Sequence, residues 1–198
     1  TRRPLPPFPE HPMIILGIDP GSNITGFGIV ETGEGGERLL ESGVIRVGMA
    51  DKDTGIAPEH VLRLQRIHEA VTELIGEFKP DLCAVEMPIY GKNPQSMLKL
   101  GRAQAAAMLA ALNRQVPVTE YTPKEIKKAV TGNGNASKEQ VRFMVETMLQ
   151  MRQGMSITLD ASDALAVALC HIHRGATRST ATYKNWEAFA RSNPGRIR

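Results

Sequence analysis

Cysteine is scarce in this sequence: Cys83 and Cys170 are the only two among 198 residues, which excludes a disulfide framework. Each lies in an apolar run, so both read as buried free thiols in a reducing compartment, and the chain reads as cytoplasmic. Long hydrophobic runs are missing as well. The alanine-rich stretch 103–112 is too short to cross a bilayer, and no membrane association is expected. No secretory leader pattern is visible, and no internal repeat. Without a cluster of Cys or His there is no donor set for zinc.

Charge is abundant but unevenly placed. The net charge is only +3, yet residues 92–142 carry nine Lys/Arg against three Glu. Residues 175–198 carry five basic groups and one acid, whereas the first 91 hold fourteen acids and eight bases. A surface polarised in this way suits a polyanionic partner met by one side of the molecule. The competing reading is an ordinary solvated helix surface.

The length is that of one domain. Residues 1–12 contain five prolines and no apolar period, and read as a disordered extension or as residues foreign to the domain, which then spans 13–174. Residues 175–198 read as a basic tail. Between them, strands are expected near 14–18, 26–31 and 43–47, the last two separated by a turn over 32–37. Strands four and five fall at 81–86 and 116–121. Pro58 can open a helix whose stripe is Val61, Leu64, Ile67, Val71, Leu74, Ile75 and Phe78. Asn93-Pro94 offers an N-cap for a second helix, Thr122-Pro-Lys-Glu125 and Ser137-Lys-Glu-Gln140 are capping boxes for two more, and a last helix runs over 160–173. The order βββαβαβααα implies an α/β fold: an antiparallel meander extended by parallel strands into a five-stranded mixed sheet, flanked by helices.

Acidic residues stand at the ends of these elements. Asp19 follows the apolar run Ile-Ile-Leu-Gly-Ile, and Glu86 closes strand four, which is expected parallel to strand one and so emerges at the same rim. Asp160 and Asp163 share one face of the first turn of the last helix. Each has a structural alternative, since Asp-Pro-Gly is a good turn and acids are favoured at helix N-termini. Together, four carboxylates would repel one another unless cations sat among them. Oxygen donors alone point to Mg²⁺ or Mn²⁺, two per site, and a basic flank suits phosphodiester hydrolysis. His68, on the helix pattern, and His171 and His173 far along the last helix read as packing or surface residues. Met144, Met148 and Met151 read as core or interface filler.

The segments Gly-Ile-Asp19-Pro-Gly-Ser, Val-Glu86 followed by Gly91-Lys-Asn-Pro-Gln-Ser96…Leu98-Lys-Leu-Gly101, and Asp160-Ala-Ser-Asp163-Ala-Leu-Ala-Val-Ala-Leu-Cys-His171 closely resemble the bacterial RuvC family of Holliday-junction resolvases, from about residue 13 to 173. The resemblance implies an RNase H-like fold and a homodimer. It implies symmetric paired nicks in four-way junction DNA, leaving 5′-phosphate and 3′-hydroxyl ends, with RuvA and RuvB as partners. The family's four catalytic, metal-binding acids fall on Asp19, Glu86, Asp160 and Asp163, and two DNA-binding lysines fall on Lys127 and Lys138. Lys92 and Asn93, in the block after Glu86, are expected on the DNA side. Family members often carry an aromatic residue three positions after the catalytic Glu, where this chain has Ile89, with Tyr90 next. Two rival classes fit less well. An actin-like or sugar-kinase ATPase needs a second similar domain for which there is no room, and a non-catalytic junction binder would not need all four acids.

Overall fold

The computed structural model describes residues 12–49, 59–88, 93–151 and 157–179, the last five of these by backbone alone. Pro58, Ile89, Tyr90 and Lys92 lie outside the described residues, as do 1–11 and 180–198. The element order is β1 (Ile14–Asp19), β2 (Ile24–Gly33), β3 (Gly36–Arg46), α1 (His60–Phe78), β4 (Leu82–Glu86), α2 (Pro94–Asn113), β5 (Val118–Tyr121), α3 (Pro123–Thr131), α4 (Lys138–Met148) and α5 (Leu159–Ser179). The sheet runs β3-β2-β1-β4-β5. Strands β1 to β3 form the antiparallel meander, while β4 and β5 join parallel to β1 and β4.

The sheet is covered on both faces. Ile15, Val30 and Ala84 look toward α3, α4 and α5. Leu16, Ile18, Cys83 and Val85 look toward α1 and α2. Adjacent residues of one strand alternate between these cores, as the pleat requires, and both cysteines are buried and free. Met144, Met148 and Met151 pack half-buried against the α5 core. Among the described residues no helix is long and apolar enough to cross a membrane.

Three expectations change. β3 begins at Gly36, not near residue 43, so the turn shrinks to Glu34-Gly35, with Gly36 at φ 101°. The added strand, Gly36 to Ser42, is an edge lined by Glu37, Arg38 and Glu41, whose charges hide the strand period. Its pairing with β2 is reinforced by Arg38 donating to Glu31 across the hairpin at 2.8 Å. In α1 only Ile67, Val71 and Ile75 are buried, and Val61 is 70% exposed. The apolar pattern there continues past the end of the core that could cover it. Finally, α5 continues to Ser179, into the segment read as tail.

The caps behave as their chemistry predicts. The Asn93 side chain accepts from the backbone of Gln95 and Ser96 ahead of Pro94, and both capping boxes, Thr122/Glu125 and Ser137/Gln140, are closed reciprocally. Such caps contribute about 1 kcal/mol each, and here they also fix where α3 and α4 begin. α1 ends on Lys79 in the left-handed region, just ahead of Pro80.

Candidate active site

Ile18 pairs with Val85 in the parallel β1–β4 ladder, so the next residue on each strand, Asp19 and Glu86, leaves the sheet at the same rim. The chain turns immediately after Asp19. Thr25, fully buried, locks that turn by donating its hydroxyl to the Gly21 carbonyl at 3.1 Å, while the Gly21 amide donates back to it at 3.3 Å. The Asp19 carboxylate is therefore carried on backbone that has little freedom to move.

Helix α5 brings the other two acids. It packs on Ile15 and Val30 further along, and approaches the backbones of β1 and β2 directly where glycine stands, at Gly17 and Gly26. A Cβ on Gly17 would lie 2.2 Å from the Ala164 carbonyl oxygen, and one on Gly26 would lie 2.0 Å from that of Asp160. Gly26 is the residue opposite Asp19 in the β1–β2 pair. The first turn of α5, with Asp160 and Asp163, is thereby seated over the rim where Asp19 and Glu86 emerge.

Asp19 and Glu86 stand as a ridge between two hollows, with Asp163 in one and Asp160 in the other. One, of about 160 Å³, is lined by Asp19, Glu86 and Asp163 together with Lys127 of α3 and Lys138 of α4. The other, of about 290 Å³, is lined by Asp19, Glu86 and Asp160 together with Ile24, Met87 and Leu100. In the first hollow the Lys138 ammonium donates to Asp163 Oδ2 at 2.5 Å. Burial raises the Asp19 pKa to about 6, with Asp163 and Asp160 adding to the rise and Lys138 opposing it. Burial likewise raises Glu86 to about 8, helped by Asp19 and Asp163 and opposed by the two lysines. The Lys138 pKa is raised in turn, chiefly by its hydrogen bond to Asp163. Negative charge is crowded here beyond what two ammonium groups balance.

Among the described residues no three Asp, Glu, His or Cys side chains are gathered closely enough to hold an ion as they stand. The donor set nevertheless fits a hard divalent cation in kind, being all carboxylate oxygen and short of positive charge. Asn93 is exposed at the head of α2, its side chain committed to capping that helix. His68 bonds to Asn113, His171 to Tyr121, and His173 to Glu37, and none of the three lines either hollow beside the carboxylates.

Two residues that sequence reasoning passed over contribute to the site. Gln104 is buried among the alanines of α2 and donates to Glu120 at 2.7 Å and to the Glu86 backbone carbonyl at 3.4 Å. It steadies the end of β4 from the far face of the sheet. A lone polar residue in a small-residue stripe was the available signal. Arg174, late on α5, pairs with Glu125 of the α3 capping box at 2.6 Å and lies over the Tyr121 ring at 5.6 Å. α3, which carries Lys127, is thus tied to α5, which carries Asp163.

An antiparallel meander extended by parallel strands and covered by helices on both faces is an RNase H-like fold. A model of the family described as crossover junction endodeoxyribonuclease RuvC matches residues 15–171. The RuvC protein of Salinibacter ruber is 54% identical over 185 residues, covering 93% of this chain and 99% of that protein. Its counterpart from Porphyromonas gingivalis is 46% identical over 190 residues, covering 93% and 97%. The structure of T. thermophilus RuvC in complex with a Holliday junction substrate superposes with a TM-score of 0.73 at 32% identity, covering 84% of this chain and 97% of that one. The chain belongs to the RuvC family of crossover junction endodeoxyribonucleases. A yeast mitochondrial Holliday junction resolvase, Ydc2, shares the fold with a TM-score of 0.62 at 14% identity.

Proposed function

We propose that the chain resolves four-way DNA junctions as a homodimer, each protomer nicking one of two symmetry-related strands to leave 5′-phosphate and 3′-hydroxyl ends. The observation that carries this reading is the placing of Asp19 and Glu86 between two hollows, one completed by Asp163 with Lys127 and Lys138, the other by Asp160 with Ile24, Met87 and Leu100. Asp19, Glu86, Asp160 and Asp163 would hold two Mg²⁺ or Mn²⁺ ions, which when bound supply an activated water and stabilise the leaving oxygen. The buried, mutually repelling acids favour such cations, since these supply the positive charge that the two lysines leave short.

The protein's own groups do the rest. The β1 and β4 termini and the α5 seat hold the carboxylates at fixed separations, so little reorganisation is needed when a phosphodiester arrives. Lys127 and Lys138 line the same hollow and suit the phosphates flanking the cut. Lys138 must first exchange Asp163 for phosphate, and being the first residue of α4 it stands where backbone amides also favour an anion. Lys92 and Asn93, at the approach to α2, would support the strand nearby, Asn93 through its position at the helix head. Ile89 and Tyr90 follow Glu86 within a few residues, so both would lie beside the DNA. Tyr90 is assigned the stacking role, with Ile89 as a lesser wedge.

Dimerisation is supported by apolar side chains left exposed on the α1–α2 face. Leu98, Leu109 and Leu112 are each more than half exposed on α2, as is Val61 on α1. A cytoplasmic site of action fits two buried free thiols, and RuvA and RuvB are the expected branch-migration partners. Incubating labelled four-way junction with Mg²⁺ or Mn²⁺ and mapping the cuts tests the reading. Symmetric nicks that disappear in EDTA support it, while an uncut junction, or duplex cut equally well, refutes it.

A further inference from the structure

The lysine hollow accounts for one side of the carboxylate ridge, and the 290 Å³ hollow on the other side has no role yet. Its walls are of two kinds. Asp19, Glu86 and Asp160 form the side shared with the reacting groups, and Ile24, Met87 and Leu100 form an apolar side. Ile24 is 36% exposed at the start of β2. Basic residues neighbour this apolar side in the chain or through a hydrogen bond. Lys99 immediately precedes Leu100 and is exposed. Arg63 reaches from α1 to donate to Asn23 Oδ1, on the residue just before Ile24. Lys99 and Arg102 have no ion-pair partner among the described residues, and both, with Arg63, bear on His60, which burial and these cations together hold below its usual pKa. Positive charge from α1 and α2 is thus gathered around His60, one residue away from two members of the hollow's apolar side, Ile24 and Leu100, although no basic residue lines the hollow itself.

An apolar half-cavity with carboxylates on one side would repel a phosphate placed within it but suits a deoxyribose and base. Cations one residue away from its apolar side suit the phosphate that follows. Backbone spacing fits this order, since successive phosphates of one strand are separated by one sugar. We propose that this hollow is a strand-binding subsite: Ile24, Met87 and Leu100 seat the nucleoside next to the scissile phosphate, and Lys99 and Arg63 hold the next phosphate. The DNA strand then runs from the lysine hollow across the ridge and into this one, gripped on both sides of the cut. The inference rests on the junction-cleaving reading and goes beyond it in naming residues of α1, β2 and α2 as contacts.

The test separates grip from chemistry. Junction binding is measured in EDTA, where no cutting occurs, at several salt concentrations, for wild type, Lys99→Gln and Leu100→Ser. Lys99→Gln is expected to weaken binding about tenfold at low salt and to lower the log–log salt slope by about one unit. Leu100→Ser is expected to leave the salt slope unchanged and to slow single-turnover cutting at saturating protein about tenfold or more, because a mis-seated nucleoside moves the phosphate. Ethylation interference should lose one protected phosphate beside the cut in Lys99→Gln alone. An unchanged affinity and slope for Lys99→Gln overturns the proposal, as does a loss of affinity accompanied by dissociation of the dimer. Failure of the wild-type protein to prefer a four-way junction over duplex would instead count against the junction-cleaving reading itself.

Discussion

Gly26 and Asp160 meet through backbone alone: a methyl group at Gly26 would sit 2.0 Å from the Asp160 carbonyl oxygen. Position 26 is therefore a height gauge for the first turn of α5. Gly26→Ala must lift that turn or bend β2, and either response moves Asp160 and Asp163 relative to Asp19. The expected outcome is a cutting rate reduced by about 10²-fold, the cost of an ångström-scale displacement, with stability lowered by about 1–3 kcal/mol. Single-turnover cutting and denaturant melts of Gly26→Ala and Gly35→Ala check this, since a Cβ on Gly35 meets nothing within 4 Å. Equal behaviour of the two variants would dismiss the gauge.

Glu86 is expected to reduce stability in the absence of a cation. Its folded pKa of about 8, against 4.5 when free, arises from burial and from Asp19 and Asp163. An acid raised in this way favours the folded state while protonated, so its contribution is lost as pH climbs from 4.5 through about 8. Glu86→Gln removes the charge and keeps the shape. In EDTA at mildly alkaline pH its melting temperature should exceed wild type, by about 2–4 °C for each kcal/mol relieved. Saturating Mg²⁺ should stabilise wild type more than the variant. A variant that melts below wild type in EDTA shows that the carboxylate is not under this strain.

Glu125 runs the other way. Burial raises its pKa, but hydrogen bonds from Arg174 and from the Thr122 amide and hydroxyl outweigh that, and the group falls to about 2. A depressed acid adds stability above its free value of 4.5 that is lost as pH drops towards about 2. Glu125→Gln should therefore be less stable than wild type at neutral pH and approach it on acidification. Melts across that window decide the matter. Parallel curves would mean that the Arg174 pair carries no net stability.

Tyr90 and Ile89 are separated by a fluorescent base at the crossover. A stacked base is worth about 1–3 kcal/mol, and an aliphatic wedge acts by unstacking a step. With 2-aminopurine at the crossover, Tyr90→Ala should change the signal and slow cutting, and Ile89→Ala should do both to a lesser degree. Normal cutting and an unchanged signal for Tyr90→Ala, with both lost in Ile89→Ala, would assign the contact to Ile89.

Much of this molecule is written locally. A run such as Ile14-Ile-Leu-Gly-Ile, mostly β-branched and ended by Asp-Pro-Gly, reads as a buried strand, Asn93-Pro94 and the two Ser/Thr-x-x-Glu/Gln boxes set helix starts to the residue, and the acids at element ends are visible as candidates for an oxygen-donor site. These features depend on residues within a few positions of one another, where propensity and side-chain reach suffice. The length of β3 does not, because Glu37 and Arg38 join a strand only once β2 offers them an edge. Nor does the exposure of Val61, which follows from where the core ends. The meaning of Gly17 and Gly26 needed α5 to be laid across them, and the link from Arg174 to Glu125 spans elements whose approach the chain order does not fix. Local chemistry chose the elements and the carboxylates at their ends. The distances between those groups, and with them the two hollows on either side of the carboxylates, came only from packing, because backbone-to-backbone contact is decided by what is absent from a side chain as much as by what is present.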